Sequence, residues 1–243
     1  MPEPRLALQL YVFAKSGLTP TEVLAQAKAA GYRAVEGGIG TAFAQRCLDA
    51  GMVHAGAHVA LNAFPTYEEC SATHALSGVI DVVNSGVLRW GGVGADDYRQ
   101  AIPLLNEHGR RLRELGLRLS YHNHEFEFAR LPEGCCGMDL LLDGLDPDAV
   151  ELCADLGWVH IGGVDPVSFV RAHGQRLGVV HLRDHDGQDW VPLGRGKLDL
   201  RGIAAELSNL PHVRRIVVEQ DPHAQPAEQC RISREWLATN LGW

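Results

Sequence analysis

Residues 149–182 read AVELCADLGWVHIGGVDPVSFVRAHGQRLGVVHL. Two short apolar runs, Ala149–Ala154 and Leu177–Leu182, flank a longer segment in which Asp165-Pro166 opens a helix that runs to His173. A capping carboxylate followed by proline is a start signal, because the first helical residue has no intrahelical partner for the N–H that proline lacks. Apolar strands joined through a helix describe a parallel pair, since parallel neighbours cannot be linked by a tight hairpin.

The same unit repeats in both directions. Upstream strand-like runs are Arg5–Phe13, Tyr32–Gly37, Met52–Val59, Gly86–Trp90 and Leu117–His122, and Arg214–Glu219 follows downstream. Between them the pattern predicts helices from Thr19-Pro20 to Gly31 and over Thr41–Ala50, Tyr67–Asn84, Asp96–Leu115, Gly137–Leu145 and Leu198–Leu207, with Pro226–Leu241 closing the chain. Eight strand–helix units of about 30 residues each predict one (β/α)₈ TIM barrel as a single domain over residues 1–243. A doubly wound open sheet alternates in the same way, but it carries a glycine-rich phosphate loop after its first strand; Phe13-Ala14-Lys15-Ser16-Gly17 is not one.

Composition narrows the function classes. Hydrophobic residues make up 46% and charged residues 21%, an ordinary globular balance. Only 22 basic residues face 30 acidic ones, for a net charge of −8, and no basic run exists, so no nucleic-acid partner is expected. The six cysteines form no CxxC pair and no secreted disulfide pattern. The opening MPEPRLALQLYVF lacks a long apolar core before a small-residue cleavage site, and no apolar stretch is long enough to span a bilayer. The cytoplasm is therefore the expected compartment, with no membrane association; a homo-oligomer is left open.

In such barrels the active site sits where strands end and the βα loops begin. Polar residues cluster there. Glu36 ends the second strand, His58 the third, His122-Asn123-His124-Glu125 the fifth, Asp155 the sixth, His181 the seventh and Glu219 the eighth. Singly, each has a bland role: Asp155 can cap the turn at Gly157, Glu219 can pair with Arg214 or Arg215, and Glu36 can be a rim charge. Polar closure of six of the eight strand-like runs is hard to explain by structure alone. Carboxylate, histidine and carboxylate from the last three strands form a mixed N/O set that suits one divalent ion such as Mn²⁺, Zn²⁺, Co²⁺ or Mg²⁺. Weaker candidates are Gly91-Gly92-Val93-Gly94 as an anion loop, Arg195 over a substrate oxygen, and Trp90, Trp158 and Trp190 as sugar-facing aromatics. No nucleophile elbow, GxxxxGK[ST] or HExxH is present.

Four stretches, Tyr121–Phe128 (YHNHEFEF), Ala154–Pro166 (ADLGWVHIGGVDP), Val180–Asp184 (VHLRD) and Val217–Asp221 (VVEQD), resemble the xylose isomerase-like TIM barrels known as sugar phosphate isomerases/epimerases. That superfamily also includes the AP endonuclease type-IV fold. The terminal CRISREWLATNLG is similar to the closing helix of the YHNH-type subgroup, and Gly31–Glu36 and His58 extend the likeness more faintly. The resemblance implies metal ligands from strands five to eight: Asp155, His181 and Glu219, with His122 standing where a glutamate is usual. Glu125 and Glu127 are the other residues able to reach in from the turn after strand five. It also implies Glu219 as an acid/base group, with His124, Glu125 and Glu36 as spare ones; His58, Trp158 and Arg195, read from their own positions, are the expected substrate contacts. The expected activity is isomerisation or epimerisation of a ketose, inosose or related sugar or polyol, phosphorylated or not, by proton abstraction next to a carbonyl. The alternative is a lyase or dehydratase, since strand five resembles that of inosose dehydratase equally well. Phosphodiester hydrolysis of the AP endonuclease kind calls for a richer ligand set for three zinc ions, and a non-catalytic barrel would have lost its metal.

Overall fold

The computed structural model describes residues 5–87 and 94–243. Eight parallel strands close into a barrel: β1 (Leu6–Gln9), β2 (Ala34–Gly37), β3 (Val53–Val59), β4 (Asp81–Ser85), β5 (Arg118–His122), β6 (Val150–Asp155), β7 (Leu177–Leu182) and, after a small antiparallel hairpin of β8 (Asp184–His185) and β9 (Trp190–Val191), β10 (Arg215–Val218). β1 pairs with both β2 and β10, which completes the ring. The outer helices are α1 (Pro20–Ala29), α2 (Thr41–Asp49), α3 (Tyr67–Ser77), α4 (Ala95–Glu114), α5 (Gly137–Gly144), α6 (Leu156–Ile161), α7 (Pro166–His173), α8 (Leu200–Ser208) and α9 (Pro226–Leu241). The expected barrel is thus present. Among the described residues, no helix is long and apolar enough to cross a membrane.

Local chemistry explains the boundaries. Thr19 caps α1 through a reciprocal capping box with Glu22, and Asp165 caps α7 by accepting from the Ser168 N–H. Three expectations need correction. The helix predicted over Tyr67–Asn84 stops at Ser77, because Gly78 adopts φ 73° as its left-handed cap. The β-branched run behind it then forms β4 at Asp81–Ser85, several residues before the predicted Gly86–Trp90. Residues 88–93, which include Trp90 and most of the Gly91–Gly94 loop, lie outside the described residues. The first strand ends at Gln9, since Leu10–Phe13 coil into a 3-10 turn rather than extending it.

The strand period of two stacks the barrel interior in layers. Ala7, Ala34, Ala55, Val83, Cys153, Val179 and Val217 form one apolar cluster at mid-height. Two residues further toward the strand ends come Gln9, Glu36, Asp155, His181 and Glu219, all buried. Two residues the other way lie Asp81, Glu151 and Arg215. β6 carries all three layers, as Glu151, Cys153 and Asp155, and so does the β10 run, as Arg215, Val217 and Glu219. The opposite strand faces pack against the helices in two larger apolar clusters.

Candidate active site

His122, Asp155, His181 and Glu219 meet at the C-terminal mouth. One ligand atom from each lies within 4.8 Å of every other, and all four side chains are buried. The strand-five member is His122. Glu127 is also buried, but it faces elsewhere: its carboxylate accepts from the Tyr121 hydroxyl at 2.6 Å and the His124 N–H at 2.7 Å. Burial pushes the Glu127 carboxyl up to about 8.

The backbone around the cluster is clamped. Asn123 lies between the two histidines of YHNH. Its side-chain oxygen accepts from the Asp155 N–H at 3.1 Å, and its amide nitrogen donates to the Asp155 carbonyl at 3.2 Å. This ties the end of β5 to the end of β6. Asp155 Oδ1 accepts from the Trp158 N–H at 3.0 Å, so the capping role open to this residue is real and coexists with membership of the cluster.

His181 is held on both ring nitrogens. Nδ1 lies 2.5 Å from Glu219 Oε2, and Nε2 lies 3.2 Å from the Glu36 carboxylate. Gln9 Nε2 donates to Glu36 Oε1 at 2.8 Å, and His58 Nδ1 lies 3.2 Å from the same oxygen. Burial disfavours charge on His181, but Cys153, Glu36 and Glu219 outweigh it and hold the imidazole well above its usual value. Burial likewise pushes Glu36 up, yet His181 and His58 draw it down to about 2. His122 and His124 are instead driven down, His124 to about 3, chiefly by desolvation.

Sequence reading missed the central cation, Arg183. This buried side chain reaches Glu219 Oε1 through Nη2 at 2.6 Å and Asp221 Oδ1 through Nη1 at 2.8 Å. Its Nε lies 2.9 Å from Asp155 Oδ2 without hydrogen-bond alignment, so that oxygen has no donor among the described residues. Burial raises Glu219, but Arg183 and His181 together hold it well below the usual carboxylate range. Burial pushes Asp155 up, against the pull of Arg183. The guanidinium stacks over Trp158 and Trp190 at 5.2 and 4.8 Å. The signal was the arginine of VHLRD, two residues past His181 and therefore on the same strand face, with Gly157 opposite it. A Cβ at Gly157 would sit 2.6 Å from the Arg183 Cβ and 2.8 Å from the Trp190 ring.

Not every predicted residue converges. His58, His124 and Trp158 border the cluster; the His58 and His124 rings lie 5.2 and 4.9 Å from that of His122. Glu125 is exposed, because it opens a 3-10 turn whose inward position belongs to Glu127. Arg195 is exposed in the turn after β9 and does not reach the cluster. Glu219 pairs with Arg183 rather than with Arg214 or Arg215. Beside the cluster, Arg183, Trp190, Glu219, Gln220, Asp221 and His223 line a cavity of about 190 Å³. A larger one of about 400 Å³ lies at the other end of the barrel, around Arg5, Tyr32 and Arg234.

Comparison with known proteins agrees with this architecture. A family model described as the xylose isomerase-like TIM barrel matches residues 66–240. An inosose dehydratase of Geobacillus kaustophilus is 31% identical over 147 residues, covering 51% of this chain and 46% of that protein. The chain spans about half the length of the curated relatives it matches. A sugar phosphate isomerase/epimerase from Parabacteroides distasonis superimposes with a TM-score of 0.80 at 21% identity, covering 99% of this chain and 95% of that one. A D-allulose 3-epimerase from Methylomonas sp. gives 0.72 at 14% identity, covering 98% and 97%.

Proposed function

The chain belongs to the xylose isomerase-like TIM barrel family, and from that premise we propose that it is a metal-dependent enzyme that removes a proton next to the carbonyl of a small keto-polyol and then eliminates water. The observation that carries this reading is the meeting of His122, Asp155, His181 and Glu219 from four separate strand ends. Two imidazole nitrogens and two carboxylate oxygens fit a borderline divalent ion such as Mn²⁺, Zn²⁺ or Co²⁺. Asp155 Oδ2, buried without an aligned donor, is an atom such an ion would satisfy. When bound, the ion supplies Lewis acidity toward the oxyanion that develops as the neighbouring C–H bond breaks.

The chain's own residues divide the remaining work. Glu219 borders the 190 Å³ cavity and is the carboxylate placed to take the proton. Arg183 fixes its direction through Oε1. Trp158 and Trp190 wall the same side and exclude water. The proton that Glu219 takes from carbon is the one returned to the departing hydroxyl, which leaves as water, while His124, kept neutral by burial, lines the other flank. The two flanks thus differ in kind, carboxylate on one and imidazoles on the other. Elimination needs a carboxylate on one flank only, acting first as base and then as acid. The dehydratase name of the curated relatives supports an inosose-like substrate.

One observation favours a second reading, epimerisation. Glu36 and Glu219 occupy opposite nitrogens of His181 and so offer two carboxylates. Incubating a keto-inositol with metal-loaded protein separates the two. Growth of a conjugated-enone absorbance supports elimination. Solvent deuterium entering the α-carbon without that absorbance supports epimerisation. Neither signal, with metal bound, would overturn both.

A further inference from the structure

The reaction proposed above leaves one buried nucleophilic group unused. Cys153 lies on β6 one layer below Asp155, fully buried on the barrel axis. Its Sγ is 3.8 Å from His122 Nδ1. Among the described residues it is the hydrogen-bond partner of the His122 ring, and no other is found. Sγ and one nitrogen each of His122 and His181 lie within 4.8 Å of one another. A tetrahedral ion with metal–sulfur and metal–nitrogen bonds of about 2.3 and 2.0–2.1 Å holds those two donors about 3.6 Å apart. The 3.8 Å between Cys153 Sγ and His122 Nδ1 is within a few tenths of an ångström of that separation.

We propose that the barrel centre has a second metal-binding mode, in which Cys153 Sγ joins the imidazoles of His122 and His181 to hold a thiophilic divalent ion such as Zn²⁺ or Co²⁺. Binding is an exchange without redox change: the S–H bond and the N–H bond of the His181 nitrogen that turns to the ion break, both protons leave to solvent, and the sulfur–metal and nitrogen–metal bonds form. The thiolate favours softer ions, whereas Asp155 and Glu219 favour harder ones such as Mn²⁺ and Mg²⁺. Both modes use the same two imidazoles, so they exclude each other, and Zn²⁺ taken by the deeper set displaces Mn²⁺ from the upper one. The inference does not rest on the reaction proposed above, because it needs only the thiol and the two rings.

Cobalt reads the mode directly, since a thiolate–Co²⁺ bond gives an intense near-ultraviolet charge-transfer band that nitrogen and oxygen ligands do not. Metal-stripped full-length protein titrated with Co²⁺ is expected to develop this band to saturation. Cys153→Ser and Cys153→Ala, checked for folding by circular dichroism, are expected to lose the band and to lower Zn²⁺ affinity by at least about tenfold more than they lower Mn²⁺ affinity. Asp155→Asn combined with Glu219→Gln is expected to keep the band and lose Mn²⁺. Bound Co²⁺ without the band in the unaltered protein, a band that survives Cys153→Ser, or a band lost in the Asp155/Glu219 double variant would each overturn the proposal. A cobalt band in protein that binds no Mn²⁺ would sustain this inference while removing the support for the proposed reaction.

Discussion

Both ends of the barrel join guanidinium groups to carboxylates from different strands, but among the described residues imidazoles gather at one of them. At the floor, Arg214 bridges Asp81 on β4 and Glu151 on β6, with Nη2 2.7 Å from Asp81 Oδ1 and in contact with both Glu151 oxygens across its two terminal nitrogens. At the mouth, Arg183 bridges Asp155 on β6 and Glu219 just past β10. In each case a guanidinium joins carboxylates from different strands. Among the described residues the floor group is Asp81, Glu151, Arg214 and Arg215, two anions and two cations, with no imidazole in it. The mouth adds His122, His181, His58 and His124 and two further carboxylates, Asp221 and Glu36, while each end leaves one buried carboxylate oxygen without an aligned donor, Asp81 Oδ2 below and Asp155 Oδ2 above. An ion network of matched guanidinium and carboxylate groups serves as a plug. A network with surplus nitrogen and oxygen donors facing a cavity is equipped for a ligand. The contrast agrees with the general division of these barrels into a stabilising N-terminal face and a reactive C-terminal face.

The sharpest way to break this contrast is through rate. Glu219→Gln should lower turnover of a keto-polyol by about 10²–10⁴-fold, the usual worth of an acid/base group, and should lower the thermal midpoint less than Arg214→Ala does, because glutamine keeps the shape and Arg183 retains Asp155 and Asp221. A large loss of stability instead would make the mouth a plug like the floor. Arg214→Ala should do the reverse. Breaking a buried pair by removing one partner costs about 3 kcal/mol or more, and Asp81 is fully buried, so denaturant midpoints should fall while metal affinity in the surviving folded protein stays the same. Glu36→Gln tests whether the mouth's outer carboxylate orients His181. Calorimetric metal affinity should drop about 10–100-fold, whereas an unchanged value would reduce Glu36 to packing.

The smallest effect concerns pH. His54 is buried, and desolvation lowers its imidazole to about 4 from 6.5. The unfolded chain therefore binds more protons between those values, and stability falls as pH drops through that window, by at most about 1.4 kcal/mol per pH unit from this group. Urea midpoints measured from pH 7 to 4 should show a shallower decline in a folded His54→Gln variant. An identical slope would assign the acid sensitivity to the mouth histidines.

Legibility followed the range of the interactions involved. His122, Asp155, His181 and Glu219 could be picked out one by one, because each is a polar residue ending an apolar run, and ends of parallel strands converge by topology. Glu36 was found by the same rule. Arg183 was not, since an arginine one residue past a strand looks like a solvent-facing charge until its three carboxylate partners are seen. Glu125 and Glu127 were indistinguishable as neighbours in a turn; only the turn's geometry sends one to solvent and the other to Tyr121. Strand four was misplaced because the helix-stopping role of Gly78 was outweighed by the apolar pattern running on to Asn84.

Local chemistry, carried in caps, glycines and a period-two alternation, determined the order of strands and helices, the closed parallel architecture it requires, and the ends at which polar groups gather. Ring closure decided which of those groups touch. It brought β1 beside β10, set Glu36 against His181 across 145 positions of chain, and placed a thiol beneath two imidazoles. Such pairings arise from the packing of the whole barrel, which no local stretch of residues encodes.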